Sequence, residues 1–438
     1  MFVSEDLQVN AQGHLTIGGQ DTVELAKQYG TPLYVMDEDL IRKHCRSFKQ
    51  SMDKFYQGKG LVCYASKAFS CKAIYRVMQE EGLGVDVVSG GELYTAMQTG
   101  FDSSKICFHG NNKTTEELQM ALDYQVGRII VDNIYELHQL EQMCQEQGKT
   151  ARIMFRIKPG VDAHTHNFIR TGQIDSKFGF ALETGEAMEA VKEALQCKSL
   201  HLCGLHCHIG SQILDTNGFE AAAEVMMQFI ATIQKELHIT IEELNLGGGF
   251  GATYIDEERK PYAYFLAPMM ERIEAFFTEL GVERPAVVIE PGRSIVAEAG
   301  LSLYTIGSIK DIRDIRKYVS VDGGMTDNIR PALYQAEYEG LVANKASEPK
   351  DDKVTICGKC CESGDILIKD CMITGTAKAG DLFAMFSTGA YGFSMASNYN
   401  SNPIPAVVLV KDGKSELIVK RQSYDDMIKN QVMPEMLK

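Results

Sequence analysis

Eight short apolar runs, most of them followed by a stretch of helical period, constrain this chain more than any other feature. The runs are Leu61–Ser66, Gly84–Val88, Lys105–His109, Arg128–Val131, Arg152–Ile157, Leu202–His208, Glu243–Leu246 and Ala286–Glu290. Between them lie segments with apolar residues at helical spacing, among them Thr115–Tyr124, Ile134–Gln147, Glu183–Gln196 and Phe219–His238. Strands apolar on both faces belong to parallel sheets, because each crossover helix covers a face of the sheet. Eight such units over about 250 residues match a closed (β/α)8 barrel. Periodicity alone also admits a doubly wound open sheet.

After Arg293 the texture changes. Tyr304–Ile309, Lys353–Cys357, Asp381–Phe386 and Ala406–Val410 are strand-like, with few long helical patterns between them. Lys411-Asp412-Gly413-Lys414 reads as a hairpin turn between Val407–Val410 and Glu416–Val419. This predicts three parts: an N-terminal segment (1–38), a barrel (39–297) and a second, mostly antiparallel β domain (298–438). The first part holds a short hairpin around Gly13 and a strand at Pro32–Met36, and is expected to pack with the β domain.

Composition narrows the partners. The net charge is −15, from 44 basic and 59 acidic residues, which argues against nucleic acid or an anionic membrane as main partner. No apolar run reaches the roughly 20 residues of a membrane span. The start, Met1-Phe2-Val3-Ser4-Glu5-Asp6, lacks the basic and apolar stretches of a signal peptide, so a cytoplasmic location is expected. The 12 cysteines show no framework spacing and read as reduced thiols.

The residues that carry chemistry sit at strand ends, where such barrels place their sites. On the first strand, alternation puts Leu61, Cys63, Ala65 and Lys67 on one face, so Lys67 is the last inward position. Alone it reads better as a solvated lysine opening a helix. The seventh strand runs into Gly247-Gly248-Gly249, which can bring backbone N–H groups close to a phosphate or can simply be a turn. The sixth ends in His206-Cys207-His208-Ile209-Gly210-Ser211. Two histidines on one face suit a metal pair, an imidazole stacked on an aromatic cofactor, or satisfied structural residues. The eighth ends in Glu290-Pro291-Gly292-Arg293, a carboxylate able to hold a pyridine nitrogen protonated and an arginine able to grip an anion.

These segments together resemble the fold-type III pyridoxal-phosphate (PLP) decarboxylases, and within them the diaminopimelate-decarboxylating group. The resemblance covers about residues 30–400. It rests on Tyr64-Ala65-Ser66-Lys67-Ala68, Asp86-Val87-Val88-Ser89-Gly90-Gly91-Glu92-Leu93, His208-Ile209-Gly210-Ser211-Gln212, the glycine run and Glu290-Pro291-Gly292-Arg293. It continues in Asp327-Asn328-Ile329-Arg330-Pro331-Ala332-Leu333-Tyr334, Cys361-Glu362-Ser363-Gly364-Asp365 and Gly389-Ala390-Tyr391-Gly392. The implied fold is an alanine-racemase-like barrel with a β domain. The implied activity is PLP-dependent decarboxylation of meso-2,6-diaminopimelate to L-lysine, the last step of lysine biosynthesis.

The resemblance also implies roles. Lys67 holds PLP as a Schiff base, His208 stacks on its ring, and Glu290 pairs with the ring nitrogen. Asp86, Ser211, Gly247, Gly248, Gly249, Pro291, Gly292, Arg293 and Tyr391 belong to the cofactor's surroundings. Arg293, Arg330, Tyr334, Glu362 and Tyr391 contact the amino-acid substrate. Cys361 is the acid that reprotonates the substrate carbon, contributed from the neighbouring subunit of a homodimer with shared sites. No metal is expected. The family usually has proline after the glycine leading to this cysteine, whereas this chain reads Gly358-Lys359-Cys360-Cys361. The register of Glu362-Ser363-Gly364-Asp365 selects Cys361 over Cys360.

Four alternatives remain at this level. They are a related decarboxylase for another basic or carboxylated diamine, a racemase, an inactive regulator with the same fold, and a metal-dependent hydrolase using His206 and His208. Cys357-Gly358-Lys359-Cys360 also spells a CxxC, but no second one completes a zinc site. Two arginines suit a substrate with a distal carboxylate better than a diamine-forming reaction.

Overall fold

Parallel pairing carries the eight apolar strands round a complete ring in this computed structural model, which describes residues 2–57, 59–161 and 175–438. The strands are Gly60–Ala65, Gly84–Val87, Ile106–Phe108, Arg128–Val131, Ala151–Lys158, Leu200–Cys207, Glu243–Asn245 and Ala286–Ile289. Each pairs in parallel with the next, and the last returns to the first through Val287↔Gly60, Val288↔Leu61 and Ile289↔Val62. The ring is closed, so the open-sheet alternative is excluded.

Inside the ring, Cys63, Cys107, Ile130, Met154, Cys203 and Val288 pack into one buried apolar layer, with Leu61 against it. Such a filled interior is what makes this architecture a packed core and not a pore. Two residues further along four of these strands, alternation makes the next inward positions His109, Asp132, Arg156 and Glu290. The change from apolar to polar within one pleat marks the C-terminal mouth.

The sixth strand reaches the same layer by a different route. Its register slips between Leu202 and Gly204, so that Leu202 faces Ile153 while Gly204 faces Met154. The bulge reverses the parity of the strand beyond Cys203. His206 pairs with Arg156 and therefore points inward, where strict alternation from Cys203 would have turned it out. The strand-to-helix turns carry polar caps: Ser89 accepts from Glu92 N, Asn133 from Glu136 N, and Thr114 with Glu117 forms a capping box.

The chain divides into two compact units. The barrel unit spans Arg42–Ala252 and Arg259–Ile295; the other contains Met1–Ile41, Thr253–Glu258 and Val296–Lys438. Thr253–Glu258 thus groups with the β unit although it lies within the 39–297 span expected for the barrel. At the centre of the β unit the wholly buried strand Leu33–Asp37 pairs antiparallel with Gly300–Ile312 and parallel with Ala406–Lys411. Gly300–Ile312 is long enough to serve Leu382–Met385 with its first half and Arg316–Val321 with its second. Asp352–Cys357 and Ile366–Ile373 extend that second half. Leu15, Leu25, Val35, Leu303, Ala384 and Val408 are among the buried side chains of its core. The hairpin after Ala406–Lys411 turns through Asp412 (φ 49°) and Gly413 (φ 69°), the paired positive dihedrals of a type I′ turn. Among the described residues, no helix is long and apolar enough to cross a membrane.

Candidate active site

Lys67 follows the first barrel strand in a single 3₁₀ turn, Ser66–Ala68. The turn is pinned at its first residue. Ser66 is buried and its hydroxyl sits 2.8 Å from the Asp86 carbonyl and 2.7 Å from Glu92 Oε2. Ala65 N–H donates to Pro291 O at 3.1 Å, tying the first strand end to the eighth. Burial pushes the Asp86 carboxyl up to about 6, against the opposing pull of His109 and Lys67. Asp86 Oδ1 has no hydrogen-bond partner among the described residues, and His109 Nε2 lies 3.7 Å away.

Glu290 stands across the mouth, also buried. Its Oε1 accepts from His109 Nε2 at 2.7 Å and from Asn245 Nδ2 at 2.6 Å, and its Oε2 meets His206 Nε2 at 3.3 Å. Burial alone would raise this carboxyl, but the two imidazoles hold it well below the usual carboxylate range. Desolvation drives His206 down to about 3, so its ring is neutral and Nε2–H is a donor. Donor atoms of His109, His206 and Glu290 all lie within 4.8 Å of one another, close enough to embrace a cation. Both Nε2 atoms are instead turned onto the carboxylate. His208, the other half of the metal pair considered from sequence, points Nδ1 at the Gly248 amide (3.3 Å).

The glycine run packs where a side chain cannot go. A Cβ on Gly248 would lie 2.0 Å from the Glu290 carbonyl, and one on Gly249, at φ 115°, 2.6 Å from the Gly210 carbonyl. Arg293 Nε and Nη2 donate to Ser211 Oγ at 3.2 and 2.9 Å. Gln212 ties the two loops together, exchanging hydrogen bonds with the Ala252 backbone at 2.6 and 3.1 Å. Burial and the nearby Lys67 charge push His208 well below the ordinary imidazole value, so its ring is neutral.

The barrel mouth thus gathers Lys67, Asp86, His208, Ser211, Gly247, Gly248, Gly249, Glu290, Pro291, Gly292 and Arg293. The remaining expected residues belong to the β unit. Arg330 is buried, its guanidinium over the rings of Tyr254 (4.9 Å) and Tyr338 (5.5 Å) and bonded to the Tyr338 hydroxyl. Tyr334 closes the short helix Arg330–Tyr334, and Tyr391 takes a left-handed φ of 58°. Cys361 and Glu362 are exposed on the loop between Asp352–Cys357 and Ile366–Ile373. Asp365 organises that loop, accepting from Cys360 N (2.8 Å) and Met325 N (2.6 Å). Lys359, where the family has proline, donates its backbone N–H to Gly323 O at 2.9 Å, a bond proline could not make.

Three members of the mouth were missed from sequence: His109, Arg156 and Asn245. The signal was available for His109 and Arg156, since the alternation that pointed to Lys67 and Glu290 also selects the inward ends of the third and fifth strands.

These residues suit PLP. A phosphate fits beside small glycine amides with an arginine and a serine. A flat ring fits a neutral imidazole, and a protonated ring nitrogen fits a carboxylate held charged. Asp86 Oδ1 and His206 Nδ1, both buried and without a hydrogen-bond partner among the described residues, mark a mouth suited to further polar contacts. The family model of the pyridoxal-dependent decarboxylases' pyridoxal binding domain matches residues 38–297. The chain is 50% identical to the diaminopimelate decarboxylase of Bacillus subtilis (strain 168) over 430 residues, 98% of each chain. This chain belongs to the diaminopimelate decarboxylase family. The Staphylococcus aureus (strain COL) family member is 45% identical over 97% of this chain and 99% of its own. The crystal structure of the M. jannaschii diaminopimelate decarboxylase in co-complex with L-lysine superposes with a TM-score of 0.93 at 37% identity, covering both chains fully. The family's cofactor is PLP, and the readings as an inactive regulator and as a metal-dependent hydrolase fall away.

Proposed function

We infer that this chain removes one carboxyl group from meso-diaminopimelate to give L-lysine and CO2. The observation that carries the reading is the placement of Lys67 and a charged, triply hydrogen-bonded Glu290 at one barrel mouth. Bound PLP supplies an electron sink for the electron pair left when CO2 departs. Around it, Glu290 would accept a hydrogen bond from the protonated ring nitrogen, and the neutral His208 ring would support the ring. Ser211, Arg293 and the glycine amides would hold the phosphate. Lys67 would be the amine that anchors the cofactor.

The substrate's far end carries a carboxylate and an ammonium. Arg293 and Arg330 suit the first and Glu362 the second, while Tyr334 and Tyr391 border the same group. Cys361 Sγ delivers the proton that replaces CO2. We further propose that Cys361 reaches the site from the partner in a homodimer, which explains its exposure in the single chain. All 12 cysteines are free, which fits work in the reducing cytoplasm.

Reconstituted protein given meso-diaminopimelate is expected to release one CO2 per L-lysine formed, with ornithine and L-lysine left intact. Epimerisation without CO2 release, or preferential CO2 release from ornithine, would overturn the reading.

A further inference from the structure

His109 has no part in the proposed reaction, yet among the described residues it makes the shortest contact to Glu290 by any ionisable group in the mouth. It ends the third barrel strand, its backbone N–H bonded to Val87 O at 2.8 Å. Its ring is 4% exposed and meets the His206 ring edge-on, centroids 4.6 Å apart. Nε2 therefore has one direction open to it, between the carboxylates of Glu290 (2.7 Å) and Asp86 (3.7 Å).

The position of the ring bears on the ring nitrogen of PLP. A carboxylate can hold a proton on that nitrogen only while it stays ionised and aimed. Buried, it would tend to take the proton itself. Glu290 is faced by His109 and Cys107 from the third strand, Asp86 from the second, and Arg156 from the fifth. His206, Cys207 and His208 face it from the sixth, Asn245 from the seventh, with Lys67 near Asp86 and His208. Asn245 is always neutral and the desolvated His206 ring is neutral at a longer distance. His109 makes the short contact that both orients Oε1 and opposes its protonation.

We propose that His109 is a positioning residue, which through its Nε2–H bond fixes the orientation and charge of Glu290 and thereby the protonation of the cofactor ring nitrogen. The proposal rests on the pairing of Glu290 with that nitrogen.

The test uses holoenzyme reconstituted with PLP labelled with nitrogen-15 in the ring, whose chemical shift reports the proton directly. His109→Leu removes the donor. His109→Gln keeps an N–H at about the same reach, and His109→Asn keeps an amide that falls short. In His109→Leu the ring nitrogen is expected to lose its proton about one to two pH units earlier than in wild type, a ten- to hundredfold drop in proton affinity. PLP binding should weaken by a similar factor. His109→Gln should restore most of both, and the Gln–Asn contrast carries the test if His109→Leu does not fold. A wild-type nitrogen shift at every pH in His109→Leu, or equal behaviour of Gln and Asn, would overturn the proposal. Glu290→Gln, run in parallel, separates the two layers. If it deprotonates the ring and His109→Leu does not, the role of His109 alone fails; if it leaves the ring protonated, the Glu290 pairing fails and the proposal with it.

Discussion

Cys360 and Cys361 are neighbours in the chain but not in environment. Burial, with Asp365 beside it, pushes the Cys360 thiol up to about 11, and its Sγ lies 3.8 Å from Asn402 Nδ2. Cys361 is exposed, with its backbone N–H fixed by Asn400 Oδ1 at 2.7 Å. A proton donor must reach the substrate carbon, so Cys361→Ala is expected to lower kcat by about 10²- to 10⁴-fold, as loss of a general acid does. Cys360→Ser should keep kcat within a fewfold. Steady-state kinetics of the two variants decides this, and the reverse ranking would move the acid to Cys360. At this scale the sequence was most legible where a residue type is chemically unusual at a strand end, as with Lys67, His208 and Glu290. Alternation selects His109 and Arg156 as inward strand ends, but neither they nor Asn245 show a chemical partner until the barrel closes and brings them to the mouth. Their significance lies in contacts between strands up to 181 positions apart.

Among the elements, the eight barrel strands were readable because burial on both faces imposes apolar runs, which the sequence prints directly. The bulge at Cys203 was not, because one extra residue leaves composition unchanged and alters only parity. The inward direction of both His206 and Cys203 follows from that bulge. The glycine loop tests the packing of the seventh and eighth strand ends. Gly248→Ala must displace the Glu290 backbone, since the added Cβ would sit 2.0 Å from its carbonyl oxygen. PLP affinity, titrated into apoprotein, is expected to fall about ten- to hundredfold; unchanged affinity would remove this loop from the cofactor's surroundings. In the β unit, burial pushes Asp327 up to about 7 from 3.8. The native state therefore holds this proton more tightly than the unfolded chain. Its contribution to stability is full below pH 3.8 and is lost as pH rises through about 7. Asp327→Asn should flatten that decline in melting temperature, and an unchanged slope would show the carboxyl to be ionised in the fold.

For the whole molecule, the residues proposed to hold the cofactor, Lys67 and Glu290, belong to the barrel unit, and those proposed to meet the substrate, Arg330, Cys361 and Glu362, belong to the β unit. The change of texture near Arg293 made this division legible. The N-terminal segment was expected with the β domain, and the pairing of Leu33–Asp37 with strands hundreds of residues away accounts for the grouping of Met1–Ile41 there, whereas the return of Thr253–Glu258 to the β unit was not legible. If each site draws Cys361 from the partner, mixing inactive Lys67→Ala with inactive Cys361→Ala should regenerate intact sites. After subunit exchange about a quarter of wild-type activity is expected, one good site in each mixed dimer. No recovery after demonstrated exchange would mean that each chain completes its own site.

The most direct measurement concerns Lys67. Holoenzyme is reduced with borohydride, digested, and its peptides are mapped by mass spectrometry. A single pyridoxyl adduct is expected, on Lys67 in the peptide beginning after Lys59. An adduct on a different barrel lysine such as the buried Lys113, or reduction that leaves no adduct at all, would contradict the assignment of Lys67.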